Sequence, residues 1–465
     1  MVFSSILFVM IFLPVTLAVY YLCGALVKSE ESRRRVHNSI LLFFSLLFYA
    51  FGGPIYLLLM VSVILINWGG AFLCAPKDDS KSVMSRRFWL IFIICLNVGN
   101  LLFFKIGDRY GDIILPIGIS FYTFQALSYV IDVYHGNVSV RRNLRDFALY
   151  ISFFPQLIAG PIVQYKDVSA MLDGRHESVD RFAVGIKRFS YGLAKKVIIA
   201  NSMAELVDKI WKLDASHMGA AVAWLGAICY TLQIYYDFSG YSDMAIGLGK
   251  MFGFDFKENF NYPYRAESIK DFWRRWHMSL STWFKDYVYI PLGGSRKGEA
   301  RTYVNLIIVF FLTGLWHGAN YTFLFWGLAY ALILCIEKLF LGKLLQKNPI
   351  KILNRIYSFL IVMLLWVVFR SDNLSQAFSI IRQMFVGATG EYSALSYISI
   401  KPVVLIIVGI LLAGNLQEWL KNTYSRVKEH VWFGYADMLL QMILLIASII
   451  LLLNGSYNPF IYYQF

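Results

Sequence analysis

Two of the seven histidines in this sequence stand where an imidazole can do chemistry. The first, His317 in FFLTGLWHGANYTFLFWG, follows Tyr303 by fourteen residues of apolar helix, or roughly 21 Å at about 1.5 Å per residue. An ionisable residue that deep in lipid indicates function, and imidazole is a general base near neutral pH. Gly314, Gly318 and Ala319 leave room nearby for a substrate. The alternative is a packing histidine bonded to a neighbouring carbonyl.

The second histidine, His277, lies in the polar and aromatic segment WRRWHMSLSTWFKDYVYIPLGG, residues 273–294. Arg274 and Arg275 precede it. Ser281 follows four residues later, which on a helix brings its hydroxyl within reach of the imidazole. The alternative to a functional role is an interfacial, partly solvated histidine.

Further polar residues interrupt the apolar runs. Asp237 and Asp243 are six residues apart, which is not one helical face, and Gly240 between them is expected to break the helix. Unpaired carboxylates are costly there, so we expect Tyr, Lys or Arg partners. A row of inward polar groups would line a water-filled tunnel, and the candidates are Gln125, Gln156, Gln233, Asp237, Asn261 and Asn320.

No metal site is expected. The five cysteines are scattered, without a CxxC pair, and are interpreted as buried free thiols. The turn PLGGSRKG, residues 291–298, carries Arg296 and Lys297 and could receive phosphates, although a plain basic loop is the alternative. Five histidines are expected at the surface: His37, His135, His176, His217 and His430.

The elements that position these residues are membrane helices. The 465 residues are 58% hydrophobic and only 15% charged, and apolar runs long enough to cross a bilayer recur along the chain. We therefore predict an all-α polytopic membrane protein with about ten to twelve spans and one domain over residues 1–465. The net charge of +14 reflects basic loops between spans rather than nucleic-acid binding.

Basic clusters predict which loops are cytoplasmic, namely those at residues 28–37, 77–87, 141–145, 166–196, 250–301, 338–351 and 421–430. The N-terminus and the tail from residue 454 onward are then expected outside. Residues 150–165, with two prolines and a glycine, are too short and too broken to span, so a re-entrant element is predicted.

Residues 268–291 are predicted to form one interfacial helix. Ser268 is the expected N-cap, Asp271 lies in the first turn, and Asp271 can pair with Arg275. Aromatic and aliphatic side chains recur at spacings of three and four, which gives the helix one apolar stripe: Phe272, Trp276, Leu280, Trp283 and Tyr287.

Four segments together resemble the membrane-bound O-acyltransferase (MBOAT) family: SFFPQLIAGPIVQY, YYDFSGYSDMAIGLGKMFGF, NFNYPYRAESIKDFWRRWHMSLSTWFKDYVYIPLGG and FLTGLWHGANYTFLFWG. The likeness is strongest to the bacterial branch of alginate O-acetylation proteins and weaker to D-alanyl transfer proteins. The specific motifs cover about residues 116–334. The resemblance implies a ring of helices around a tunnel, in a multi-pass protein of the bacterial cytoplasmic membrane.

The resemblance also implies roles. His317 would be the catalytic residue and His277 the family's second histidine, supplying an oxyanion donor or orienting the thioester. Acetyl-CoA would be the acyl donor, with no bound cofactor, and the acyl group would reach glycan hydroxyls through an extracytoplasmic SGNH-type acetyltransferase partner. Candidate donor contacts are Trp273, Arg274, Arg275, Trp276, Ser281, Arg296 and Lys297.

Two alternatives remain open. The first is D-alanyl transfer from a carrier protein to teichoic acid, within the same fold. The second is a transporter or flippase without covalent chemistry, which polar residues within spans also fit but which usually shows two related halves, and no internal repeat is visible.

Overall fold

The computed structural model describes residues 1–387, except 77–81, 110, 112 and 159, and further residues 391–414, 416, 419, 422–423, 431–455, 457–459 and 461. Within these ranges the chain is helical and contains no β-strand, so the all-α class is confirmed. Six described helices are long and apolar enough to cross a bilayer: Phe8–Ala25, Pro54–Cys74, Val83–Asp108, Tyr321–Lys347, Lys351–Arg370 and Gly434–Leu453. The chain is a multi-pass membrane protein, and the expected ten to twelve spans stay a prediction.

Two compact units make up the chain, and each is described by itself. The first comprises Met1–Phe189 and Tyr241–Lys257, and the second comprises Ser190–Gly240 and Glu258–Phe465. The prediction of one domain, the predicted cytoplasmic loops and the predicted sides of the termini are untested. His430 and parts of the clusters 77–87 and 421–430 lie outside the described residues.

Among its described residues the first unit contains nine α-helices, numbered in chain order, of which α9 continues into the second unit: α1 Leu13–Ala25, α2 Glu30–Ala50, α3 Pro54–Cys74, α4 Val83–Arg109, α5 Ile119–His135, α6 Leu144–Ser152, α7 Phe154–Leu157, α8 Tyr165–Asp173 and α9 Val179–Ala194. Helices α3 and α4 are joined by a reciprocal amide pair, Asn67 and Asn97, with both bonds 3.0 Å long. Interhelical amide bonds of this kind hold membrane helices together. Phe153 separates α6 from the four-residue α7, so the helix is interrupted within residues 150–165, and the re-entrant course of this segment stays a prediction.

One surface prediction in the first unit is wrong. His37 is buried, stacks on the Tyr20 ring with centroids 3.9 Å apart, and faces Glu177 at 3.3 Å. His37 can be buried because Glu177, which is distant in the sequence, lies beside it. The polar sequence around His37 does not indicate this partner. His135 and His176 are exposed, as predicted.

The second unit contains the remaining α-helices of the described residues, and α11 contributes residues to both units: α10 Asn201–Trp211, α11 Ala220–Met251, α12 Ile269–Arg275, α13 Met278–Phe284, α14 Glu299–His317, α15 Tyr321–Ile336, α16 Gly342–Lys347, α17 Lys351–Arg370, α18 Leu374–Val386, α19 Ile400–Ala413 and α20 Val431–Leu453. Gly314 and Gly327 allow α14 and α15 to pack closely. A Cβ on Gly327 would lie 2.3 Å from the Phe310 carbonyl oxygen, and one on Gly314 would lie 2.5 Å from that of Phe323. Gly314 therefore serves helix packing rather than substrate access.

The predicted helix break at Gly240 is wrong, because α11 runs unbroken for 32 residues. Gly240 is needed for a close approach instead, since a Cβ there would lie 2.7 Å from the Gly192 carbonyl oxygen. A glycine within a long apolar helix marks a packing contact as readily as a break.

Candidate active site

The segment that carries His277 is anchored at its start. Ser268 caps α12 as predicted, with its hydroxyl oxygen 3.0 Å from the Asp271 backbone nitrogen. A second cap was not foreseen: the buried carboxylate of Glu337 accepts hydrogen bonds from the backbone N–H groups of Ile269, at 2.6 Å, and Lys270, at 3.0 Å. Negative charge at a helix N-terminus is stabilising, so Glu337 fixes where α12 begins.

The predicted single helix over residues 268–291 is divided at His277. Helix α12 ends at Arg275, and α13 begins at Met278 after His277 takes a left-handed conformation with φ 46° and ψ 53°. A non-glycine residue in this region carries a strain of order 1–3 kcal/mol, and such strain is concentrated at functional sites. The break turns the imidazole inward, and His277 is 1% exposed rather than interfacial as predicted.

Asn259 holds the His277 ring and determines its tautomer. The Asn259 side-chain oxygen accepts from the Ser279 backbone N–H at 3.2 Å and from the Ser279 hydroxyl at 2.9 Å. The backbone donor identifies that atom as oxygen rather than nitrogen. His277 Nδ1 lies 3.1 Å from the same oxygen and must therefore donate a proton to it. In a neutral imidazole the other nitrogen, Nε2, is then an acceptor.

Burial keeps His277 neutral. Loss of solvent lowers the pKa of His277 to about 3, far below its ordinary value of 6.5. Nε2 is buried, and no described protein group bonds to it. The site thus presents a lone pair that can accept a hydrogen bond from a substrate N–H or O–H. A neutral His277 cannot supply the oxyanion donor that the sequence left open.

His317 is the last residue of α14 and is 6% exposed, and its depth in the membrane stays a prediction. Aromatic rings from two further helices surround it. Trp326 of α15 stands edge-on with ring centroids 5.2 Å apart, and Phe369 of α17 stands edge-on at 4.9 Å. Packing on both sides leaves the ring little freedom to rotate, which suits a base that must meet a hydroxyl in one geometry.

The two histidines lie in the same aromatic cluster. Trp316 borders both, with its ring centroid 6.1 Å from that of His277 and 4.6 Å from that of His317. Phe238 stands edge-on to His277 at 4.6 Å. The structure therefore brings together the two histidines that the sequence singled out, and aromatic rings surround them.

The cluster also holds a buried donor that the sequence did not indicate. The indole nitrogen of Trp326 is buried, and no hydrogen-bond partner for it exists in the part of the chain that the structure describes. Buried indole N–H groups normally find a partner, so an unpaired one beside His317 is available to a bound group.

The two tryptophans predicted to contact the acyl donor, Trp273 and Trp276, pack against other aromatic rings. Trp276 is buried with its ring 5.0 Å from Trp366, and Trp273 packs on Trp326 with centroids 5.8 Å apart. The Ser281 hydroxyl donates to the Trp273 carbonyl at 3.2 Å rather than to the His277 imidazole, contrary to the expected pairing. The turn at His277 redirected the ring away from Ser281.

The basic candidates separate into two groups. Arg274, Arg296 and Lys297 are exposed. Arg275 is half-buried, pairs with Asp271 at 3.0 Å as predicted, and lines a cavity of about 350 Å³. Asn261, a tunnel candidate, lines the same cavity.

Two arginines that the sequence did not single out, Arg265 and Arg355, also line this cavity. They were missed because Arg265 follows a short turn at Pro263 and Arg355 belongs to a different helix, so no spacing in the sequence connects them.

Asp237, another tunnel candidate, is used structurally. Its carboxylate lies 2.6 Å from Lys196 Nζ, and both side chains are buried, which confirms the expected basic partner. The other carboxylate oxygen accepts from the Ile461 backbone N–H at 3.0 Å, and Lys196 also bonds to the Pro459 carbonyl. Pro459 and Ile461 of the tail are thereby attached to the middle of the chain. Asp243 likewise pairs with Arg188 in the first unit, at 2.7 Å.

The remaining tunnel candidates have mixed positions. Asn320 caps α15 by accepting from the Thr322 backbone N–H, and it also donates to the Asp372 carbonyl at 3.0 Å, so it is a structural residue. Gln233 is buried in the second unit, and its side-chain oxygen has no hydrogen-bond partner among the described residues.

Gln125 and Gln156 are buried in the first unit. Neither amide atom of Gln125 has a hydrogen-bond partner among the described residues, whereas Gln156 donates to the Tyr150 carbonyl. Buried amides without partners favour a wet cavity over a dry core.

Comparisons with known proteins identify the family. A sequence profile of the membrane-bound O-acyltransferase family matches residues 139–371. The chain is 39% identical to the probable alginate O-acetylase AlgI of Pseudomonas putida over the whole of both chains. It is 36% identical to the peptidoglycan O-acetyltransferase of Helicobacter pylori over 84% of this chain and 80% of that one. A teichoic acid D-alanyltransferase of Bacillus subtilis is 30% identical over 49% of this chain and 60% of its own.

Proposed function

The chain belongs to the membrane-bound O-acyltransferase family, and from this premise we propose that it moves an acetyl group from cytoplasmic acetyl-CoA across the membrane to hydroxyls of an extracytoplasmic polysaccharide or cell-wall glycan. One observation carries the choice of acetyl and glycan. The relatives that match most of this chain at 36–39% identity are named for acetylation of alginate and of peptidoglycan.

His317 is the proposed general base. Its imidazole takes the proton of the acceptor hydroxyl as that oxygen attacks the thioester carbonyl carbon. The new C–O ester bond forms, the C–S bond breaks, and the imidazolium returns the proton to the departing thiolate. The buried position of His317 among Trp326 and Phe369 supports this role, because water that would hydrolyse the thioester is kept away.

The other two groups divide the remaining tasks. The Trp326 indole N–H is the proposed donor to the oxyanion that develops on the thioester carbonyl. His277 Nε2, a fixed acceptor, would orient the donor or the attacking hydroxyl by receiving one of its hydrogens. In this proposal the tautomer and the burial of each group, rather than its residue type, decide whether it donates or accepts a hydrogen bond.

A partner and a location complete the proposal. We place the protein in the bacterial cytoplasmic membrane, where the donor is available on one side and the glycan on the other. An SGNH-type acetyltransferase outside the membrane would complete transfer onto the polymer. Deleting candidate partner genes should then lower glycan acetate without lowering thioester turnover by membranes.

The decisive experiment measures acyl transfer by the purified protein in liposomes with radiolabelled acetyl-CoA. His317→Gln should lower turnover by about 10²–10⁴-fold, the usual contribution of a general base. His176→Gln, the same change at an exposed histidine, is the matched control and should leave turnover unchanged.

Other results would redirect the proposal. Transfer only from a D-alanyl carrier protein would favour the D-alanyl reaction, which the Bacillus subtilis relative supports. Solute movement without covalent transfer, altered by His317→Gln, would favour the transporter.

A further inference from the structure

A cavity in the second unit gathers positive charge close to His277. Its volume is about 350 Å³, within the range of small-molecule sites. Three arginines line it, Arg265, Arg275 and Arg355, together with the carboxylates of Glu267 and Asp271. We refer to it as the arginine cavity.

The carboxylates align two of the three guanidinium groups without cancelling their charge. Arg275 pairs with Asp271 at 3.0 Å, and Arg355 bonds to Glu267 at 3.3 Å. Three cations against two anions leave an excess of positive charge. The Nε atom of Arg355 is buried and lacks a hydrogen-bond partner among the described residues. The pKa of Arg265 is lowered first by burial and then by the charges of Arg355 and Arg275, as expected where cations crowd together.

Backbone strain marks the same place. Among the described residues, the non-glycine residues with positive φ are Tyr262, which lines the arginine cavity, and His277, both at 46°. Two backbone hydrogen bonds join the segments that carry these residues. The Asn261 N–H donates to the Arg275 carbonyl at 2.9 Å, and the Met278 N–H donates to the Asn259 carbonyl at 3.0 Å. The segment that holds His277 therefore also forms a wall of the arginine cavity.

Helix α17 gives the distance from the cavity to the proposed base. Arg355 lies in the cavity, and Phe369, fourteen residues later on the same helix, packs on His317. Fourteen residues correspond to roughly 21 Å. A pantetheine arm has about thirteen bonds from phosphorus to sulfur, or roughly 15 Å when extended, which covers most of that distance, and the long side chain of Arg355 can make up the remainder.

We propose that the arginine cavity binds the phosphate to which the pantetheine arm of the thioester donor is attached. Coenzyme A and a phosphopantetheinylated carrier protein both carry that phosphate, so the site would serve either donor. Guanidinium groups suit it because their N–H groups match two phosphate oxygens at once. This inference rests on the proposed function in requiring a thioester donor.

The arginine cavity replaces most of the phosphate contacts expected from the sequence. Of the four basic candidates only Arg275 lines it, while Arg274, Arg296 and Lys297 are exposed. Arg265 and Arg355 are the new members, and they make the test independent of the WRRWH motif.

The test compares donors with and without the phosphate. Acetyl-CoA, S-acetyl-4′-phosphopantetheine, which keeps only the phosphate on the pantetheine arm, and S-acetylpantetheine, which has no phosphate, are supplied to wild type, Arg265→Gln and Arg355→Gln in detergent. The KM for acetyl-CoA and for S-acetyl-4′-phosphopantetheine should rise about 10- to 100-fold in each variant, with kcat within threefold, since each variant removes charge-assisted bonds to the phosphate. The KM for S-acetylpantetheine should not change. Arg382→Gln, the same change at an exposed arginine, is the control.

Failures of the site and of the function are distinguishable. Equal KM increases for donors with and without the phosphate, or none for S-acetyl-4′-phosphopantetheine, would overturn the arginine cavity while leaving acetyl transfer intact. If wild type uses none of these donors, the acetyl-CoA reaction fails, and the same variants are then tested for binding of a phosphopantetheinylated carrier protein against its unmodified form. Arg355→Lys keeps the charge without the planar fork and should recover part of the affinity, which a variant that merely misfolds would not show.

Discussion

Asn259→Asp tests the assignment of His277 as a neutral acceptor. The change keeps an oxygen for His277 Nδ1 and Ser279 but places a negative charge 3.1 Å from the imidazole. An opposite charge at that distance raises a histidine pKa by about 1–3 units, so the pKa of His277 should move from about 3 to between about 4 and 6. Only a neutral His277 can accept a hydrogen bond from the substrate. Activity should therefore be proportional to the fraction of the enzyme in which His277 is neutral.

The expected pH profile follows from those pKa values. Wild type should be flat between pH 5 and 8 with respect to His277, because its pKa of about 3 lies well below that range. If the pKa of His277 in the variant is about 6, nearly all of the enzyme has a neutral His277 at pH 7.5, but only about one tenth of it does at pH 5. The measurement is the initial rate of acetyl-CoA turnover from pH 5 to 8, with the variant normalised to wild type.

Ser279→Ala is the control, since it removes one bond to the same oxygen without adding charge. Its profile should stay parallel to that of wild type. An Asn259→Asp enzyme that gains activity relative to wild type as pH falls would refute the assignment, because His277 would then be acting as a protonated donor.

Three other predictions concern groups whose contacts are described above. Trp326→Phe keeps a ring beside His317 but loses the indole N–H, so kcat should fall about 100-fold with little change in KM, measured by steady-state turnover. Glu337→Gln removes charge from the start of α12 and should lower the free energy of unfolding by about 1–2 kcal/mol in denaturant titrations. Lys196→Met should cost about 3–5 kcal/mol by leaving Asp237 buried and unpaired, and the double variant Lys196→Met/Asp237→Leu should recover most of that loss in the same titration.

Patterns of hydrophobicity and short-range spacing predicted much of this fold. The all-α class followed from apolar runs, and the start of α12 followed from Ser268 and Asp271, whose effects reach only one helical turn. The position of His317 at the end of a helix followed from the apolar run that begins near Tyr303. In each case the information lies within a few turns of one helix.

What could not be predicted depends on contacts between distant segments. Asn259 and His277 are 18 residues apart, and Glu337 caps a helix that begins 68 residues earlier. The apolar stripe from Phe272 to Tyr287 keeps its helical spacing past His277, so it gives no sign of the left-handed turn there. One helix was therefore expected where two exist. The predicted helix break at Gly240 was wrong for a related reason. Gly240 is needed because the Gly192 backbone packs against it, and Gly192 is remote in the sequence.

The attachment of the tail to Asp237 has a consequence for biosynthesis. Asp237 and Ile461 are separated by 224 residues, so a ribosome adding about 5–20 residues per second needs roughly 10–45 s between them. Throughout that interval α11 is present while one oxygen of its buried carboxylate still lacks its backbone donor. The nascent chain must tolerate an incomplete polar site in its interior, or delay closing around it, until residue 461 emerges. A fusion or truncation near that residue would therefore act on membrane assembly before it acted on catalysis.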